Sequence, residues 1–139
     1  MVVLAFGTFD VLHIGHINYL KQAKKIAGKE DLFVIVSRDK NALKHNHKKL
    51  IHDEKERLEI IQSLNIVDGV ILGGENPFEI ILKLNPSKIV LGYDQLVDIK
   101  KLEDYLTKNN LKIEIVRALP HKHVEKKSSI IKKKLLGIS

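Results

Sequence analysis

At 139 residues the chain has the length of one domain with a single hydrophobic core. A composition of 44% hydrophobic and 29% charged residues excludes a disordered or fibrous chain. The absence of cysteine excludes disulfides, thiolate metal sites and thiol catalysis. The net charge of +7 calls for a polyanionic partner. Only 5% of residues are aromatic, there is no Trp, and the lysines are scattered, a pattern that favours a small phosphate-rich molecule over nucleic acid.

Met1 leads straight into Val2–Phe6, the first predicted strand, with no basic stretch or cleavage site before it. No apolar run is long enough to cross a bilayer. The expectation is a soluble, cytoplasmic protein without membrane contact. A helix follows with Ile17, Leu20, Ala23 and Ile26 on one face and Gly28 as its stop. Leu32–Val36 is the second strand. Lys44-His45-Asn46-His47-Lys48-Lys49 has no apolar periodicity and is dense in cations, so it is expected to form a loop. Asp53 and Glu56 open a second helix through Leu58, Ile61 and Leu64 with a capping-box pattern.

Strand Val70–Leu72, a helix carrying Phe78, Ile81 and Leu82 that ends before Pro86, and strand Ile89–Leu91 come next. A helix with Ile99, Leu102 and Leu106, strand Ile113–Val116 and a final helix complete the chain. Most of the strands lack polar alternation, as expected of parallel strands covered on both faces. The order predicts an α/β fold: a doubly wound, five-stranded parallel sheet with helices on both faces. No linker or repeat interrupts it, so residues 1–139 are expected to form a single domain.

In such a sheet, ligands bind beyond the carboxyl ends of the strands. There the chain reads Gly7-Thr8-Phe9-Asp10-Val11-Leu12-His13-Ile14-Gly15-His16. Gly7 allows a sharp turn and close approach of a ligand to the backbone. His13 and His16 fall where the first helix begins, and a helix N-terminus suits phosphate through its unpaired N–H groups and partial positive charge. Two imidazoles there can donate hydrogen bonds to phosphate oxygens as charge builds during transfer. Metal ligation is the alternative, but no third ligand follows at a recognisable spacing. A dinucleotide fingerprint needs GxGxxG, and this turn has only Gly7 and Gly15.

The run Gly7–Asp10 through His13-Ile14-Gly15-His16 resembles the signature of the cytidylyltransferase-like (HxGH) nucleotidyltransferases, a Rossmann-like family that includes the archaeal FAD synthases. Glu56-Arg57-Leu58 with Val67-Asp68, Gly92-Tyr93-Asp94-Gln95, and Ser128-Ser129-Ile130-Ile131 resemble its later sections. The resemblance implies that Thr8, Phe9, Ile14 and Gly15 line the ATP site and that His13 and His16 bind the triphosphate. His16 would be the main stabiliser of the α-phosphate. Gly92 and Asp94 would hold the nucleoside, and Ser128 and Ser129 the β and γ phosphates. Lys44 would bridge donor and acceptor phosphates, with Lys48 or Lys49 as possible substitutes, and so it counts with His13 and His16 as catalytic. Arg57 and His121 are candidates for the substrate phosphate. Plainer alternatives are a helix cap for Ser128, a solvated helix position for Arg57 and a surface position for His121.

The resemblance implies ATP and FMN as substrates, a divalent cation (magnesium) accompanying the triphosphate, and a homodimer. Three features favour FMN as acceptor. The Gly-Tyr-Asp-Gln turn is similar to that of archaeal FAD synthases, His13 is kept where pantetheine-phosphate enzymes usually have threonine, and no Arg-Thr-x-Gly-Ile-Ser/Thr segment precedes Ser128. The stretch His121–Lys127 departs from the archaeal pattern in lacking cysteine. The alternatives are a cytidylyltransferase acting on a polyol or sugar phosphate, and a nucleotide-binding module without catalysis. The run Lys132-Lys133-Lys134 reads as a solvated helix face.

Overall fold

The computed structural model describes residues 1–46, 50–76, 78–93, 95 and 98–120, with the backbone alone for 43–46. The elements in chain order are β1 (Val2–Gly7), α1 (Ile14–Ala27), β2 (Asp31–Val36), α2 (Asp39–Asn46), α3 (Glu54–Gln62), β3 (Gly69–Leu72), α4 (Glu79–Leu84), β4 (Lys88–Leu91), α5 (Ile99–Lys108) and β5 (Glu114–Arg117). The five strands pair in the order β3-β2-β1-β4-β5, and every pairing is parallel. The expected doubly wound sheet is the fold observed.

Alternation along the strands serves two cores at once. Val3 and Ala5 of β1, Val34 and Val36 of β2 and Val90 of β4 face Leu20 and Ala23 of α1 and Ile61 of α3. Leu4, Ile35, Ile89 and Leu91 face the other way, against Ile81 of α4 and Leu102 and Leu106 of α5. An apolar run with no polar breaks is therefore required of each central strand. Leu82, expected on the apolar face of its helix, is instead 43% exposed, because Ile81 takes the inward position on that short helix.

The helix boundaries follow local chemistry. Asp53 caps α3 by accepting from Glu56 N–H at 2.8 Å, and the Glu56 carboxylate reaches back to the Asp53 N–H, completing the expected capping box. Asp98 caps α5 by accepting from Lys101 N–H. Gly28, with φ of +61°, closes α1. One expectation is corrected. Lys44, His45 and Asn46 belong to α2 rather than to a loop. That helix begins with Asp39 in its first turn and places Ala42 in the interior, at 2% exposure. Two adjacent apolar residues, Ala42 and Leu43, in eight are too weak a periodicity to announce a helix. The final predicted helix lies outside the described residues.

At the amino end of the sheet, Asp68 accepts from Leu32 N–H at 2.8 Å and from the Lys24 ammonium at 2.5 Å. These two donors hold its carboxyl below the ordinary aspartate value. A depressed carboxylate stabilises the fold above its unfolded pKa of about 3.9 and ceases to do so as pH falls through the folded value. Asp68→Asn should therefore lower stability at pH 7, by less than about 1 kcal/mol for so accessible a pair. Urea denaturation should show that difference closing below about pH 4. A constant difference across the range would refute the assignment.

Candidate active site

The turn between β1 and α1 is shaped by two rings lying over two glycines. Phe9 has a φ of +54°, a left-handed conformation costing on the order of 1 kcal/mol for a non-glycine residue. Its ring is nevertheless 4% exposed and folds back over Gly7, where an added Cβ would sit 2.6 Å from the ring. Burial of the ring offsets the backbone cost. His13 repeats the arrangement. Its ring lies over Gly15, where a Cβ would come within 2.7 Å of it. Each glycine is required by the ring beside it.

His13 is also the N-cap of α1. Its Nδ1 accepts from Gly15 N–H at 3.0 Å, and its own N–H donates to His16 Nδ1 at 3.3 Å, so a pair of histidines forms the reciprocal cap normally made by a hydroxyl and a carboxylate. The two rings stack with centroids 3.9 Å apart, and Phe9 meets His16 edge to face at 5.4 Å. Because both Nδ1 atoms accept from backbone N–H groups, the neutral rings carry their proton on Nε2. The arrangement sets two imidazole donors at the positive end of a 14-residue helix. It is suited to binding an anion and to stabilising one that forms there.

Thr8, Phe9, His13, Ile14, Gly15 and His16 thus share one turn, with Ile14 46% exposed at the first helical position. Thr8 Oγ1 and Ser37 Oγ lie 2.9 Å apart, linking the ends of β1 and β2. Asp10 accepts from the N–H groups of Ile51 and His52 at 3.1 and 2.9 Å. It is a backbone anchor for the chain that enters α3.

Arg57 is corrected on both sequence expectations. It is neither solvated nor presented to a ligand: it is fully buried. Its Nε donates to His52 O at 3.2 Å, and one terminal nitrogen donates to Thr8 O at 2.8 Å and Ser37 O at 2.9 Å. The other pairs with Asp39 Oδ1 at 2.6 Å. The guanidinium reaches inward because the carbonyls at the ends of β1 and β2 need donors there.

Gly92 follows β4 on the far side of β1. Its N–H donates to Gln95 Oε1 at 2.6 Å, while Gln95 Nε2 donates to Phe6 O at 2.7 Å, joining this turn to the first. Arg117 donates to Gly92 O at 2.8 Å and to Gln95 O at 3.1 Å. Beneath them the Tyr19 hydroxyl accepts from Phe6 N–H at 3.1 Å and donates to Val90 O at 2.5 Å. Burial pushes this phenol above the ordinary tyrosine range. Tyr19, Arg117 and Ser37 are not recognisable from the sequence as site-building residues. Their partners are backbone groups distant in the chain. Lys44 lies in α2, its side chain outside the described residues. Asp94, His121, Ser128 and Ser129 lie outside them altogether.

Arg57→Leu removes the donors of three carbonyls and leaves Asp39 without its cation. It should cost about 2–4 kcal/mol of stability, measured by urea denaturation. A loss below about 0.5 kcal/mol, the range of a neutral surface change, would show that the network does not hold the site together.

Comparison with known proteins bears on this geometry. The family model described as cytidylyltransferase-like matches residues 4–134. A protein of Korarchaeum cryptofilum named FAD synthase is 43% identical over 132 residues, 94% of this chain and 89% of its own length. Another of that name, from Methanosarcina acetivorans, is 46% identical over 116 residues, 83% and 74% of the two chains. Among solved structures, the lipopolysaccharide core biosynthesis protein of Thermoplasma volcanium superposes with a TM-score of 0.81 at 40% identity, covering 88% of this chain and 98% of that one. A match across nearly the whole chain, which includes the turn that carries His13 and His16, places this protein in the cytidylyltransferase-like family.

Proposed function

We propose that this protein is an FAD synthase, transferring AMP from ATP to FMN and releasing pyrophosphate. The observation that carries the transfer chemistry is the histidine pair at the start of α1, its rings oriented by backbone bonds to both Nδ1 atoms. The acceptor is supported by the relatives named FAD synthase, which are 43–46% identical over most of this chain.

In this reading a phosphate oxygen of FMN attacks the α-phosphorus of ATP. The bond from that phosphorus to the bridging oxygen breaks, and its electron pair leaves with pyrophosphate. The acceptor is already anionic and needs no general base, so catalysis consists of in-line positioning and charge neutralisation. His16, with His13 beside it, donates to the α-phosphate oxygens as charge accumulates. Thr8, Phe9, Ile14, Gly15, Gly92 and Asp94 line the nucleotide site, Ser128 and Ser129 take the outer phosphates, and Lys44 and His121 serve the phosphate of the acceptor. Arg57 contributes by holding the Thr8 and Ser37 carbonyls in place.

The donor set of the turn is imidazole and N–H, which suits anions, and the Asp10 carboxylate is taken by two backbone amides. Among the described residues no three His, Asp or Glu side chains gather as a cation site. A magnesium ion accompanying the triphosphate would neutralise part of its charge, while the imidazole and N–H donors of the turn would hold phosphate oxygens. The described residues include no helix long and apolar enough to cross a membrane. A cytoplasmic location is proposed together with the synthase reading, on the ground of its substrates ATP and FMN. A homodimer is part of the same proposal, and light scattering measures it.

Incubation with ATP or CTP, each with FMN or glycerol 3-phosphate, separates the readings by pyrophosphate release. Turnover is expected with ATP and FMN together. Preference for CTP with glycerol 3-phosphate would replace the flavin reading by a polyol-phosphate cytidylyltransferase, and nucleotide binding without release by a non-catalytic module. His16→Ala should lower kcat about a hundredfold or more, as loss of a donor to a developing oxyanion does. Its melting temperature should move little, since the fold loses only part of one helix cap. Near-normal turnover of the folded variant would eliminate this mechanism.

A further inference from the structure

The sheet's strand order reverses between β1 and β4, and these two strands pair only as far as Ala5 opposite Val90. Two strands that separate leave backbone groups without ladder partners, at the floor of the crevice where ligands of such sheets bind. Here both backbone groups of Phe6, its N–H and its carbonyl, are taken up by side chains. The Tyr19 hydroxyl stands between Phe6 N–H and Val90 O, and the Gln95 amide stands between Phe6 O and Gly92 N–H. Each side chain occupies the place of a peptide group between the strands. A side-chain amide bonded at both ends holds two backbones further apart than the one hydrogen bond of a ladder does.

Tyr19 is buried in the core beneath the sheet, whereas Gln95 is half-buried and sits at the open end. Gln95 N–H also donates to Gly92 O at 3.2 Å, closing the turn on itself. Arg117, on the neighbouring β5, donates to the carbonyls at both ends of the same turn. The turn after β4 is thus closed by its own backbone, braced from β5 by a guanidinium and spaced from β1 by an amide. Gly92 has little room to shift, since a Cβ there would lie 3.2 Å from the Gln95 side chain.

We propose that Gln95, backed by Arg117, is a positioning residue for the donor nucleotide: its amide sets the opening between the ends of β1 and β4 and with it the placement of the Gly92 turn. This rests on the proposed function in taking that crevice as the nucleotide site. Among the described residues the Gln95 side chain bonds to Gly92 N–H and the Phe6 carbonyl rather than to the histidine pair, so its effect falls on nucleotide affinity rather than on the chemical step.

The test compares Gln95→Leu, Arg117→Met and Arg117→Lys with the unaltered protein. ATP affinity is read by titration calorimetry and the KM values by pyrophosphate release. Gln95→Leu and Arg117→Met should each weaken ATP binding and raise its KM about tenfold, the size of one or two lost hydrogen bonds. The KM for FMN and kcat should stay within about threefold of the unaltered values, a difference smaller than one such bond. Arg117→Lys keeps a donor for the same carbonyls and should recover most of the affinity. Unchanged ATP affinity in the folded variants, with only a lowered melting temperature, would overturn the proposal and leave the brace a purely structural one. Arg117 is exposed, so its variants decide the matter should Gln95→Leu fail to fold. If the unaltered protein binds ATP but makes no FAD, the synthase reading falls while the affinity comparison still judges Gln95.

Discussion

A guanidinium buried without water needs donor-to-acceptor geometry on every side, and Arg57 finds it only where three chain segments converge. It reaches from α3 to the end of β1, the end of β2 and the first turn of α2. Those carbonyls belong to chain leaving the sheet, where parallel pairing no longer satisfies them. By supplying their donors, Arg57 fixes where the turn bearing the histidines begins. It also fixes the direction of α2, the helix on which Lys44 lies.

From that anchor the described part of the site is built by rings and helix ends. Phe9 accepts a left-handed backbone because its ring finds a buried place over Gly7, and His13 finds the equivalent place over Gly15. The imidazoles cap α1 and at the same time turn their second nitrogen away from the backbone that they cap. Structural and chemical demands therefore coincide in the same two residues. Across the seam, Tyr19 and Gln95 carry the sheet's hydrogen bonding past the point where β1 and β4 separate. Both backbone groups of Phe6 are thus satisfied at the floor of the crevice.

The strands and most helices were legible because their signals are local. Apolar runs without polar alternation fit β1, β2 and β4, whose residues serve two cores. Asp53 with Glu56, and Gly28, mark helix ends within a few residues of themselves. α2 was not legible, because its only apolar residues, Ala42 and Leu43, are adjacent and leave no period to detect. Nor was the place of Arg57, since a single arginine after a capping box has the same local pattern whether it faces water or the core. Its acceptors are as far away in the chain as Thr8.

The sequence by itself determined the fold class and the family, and it marked the turn from Gly7 to His16 as the candidate site. Periodicity and motif spacing are properties of neighbouring residues, and they survive without coordinates. Only the tertiary structure decided that Arg57 serves the protein rather than the ligand, that Asp10 anchors the entry to α3, and that Tyr19, Gln95 and Arg117 join two strands at their parting. Each of those roles depends on which backbone groups the folded sheet leaves without partners. That is settled only when segments distant in sequence are packed together.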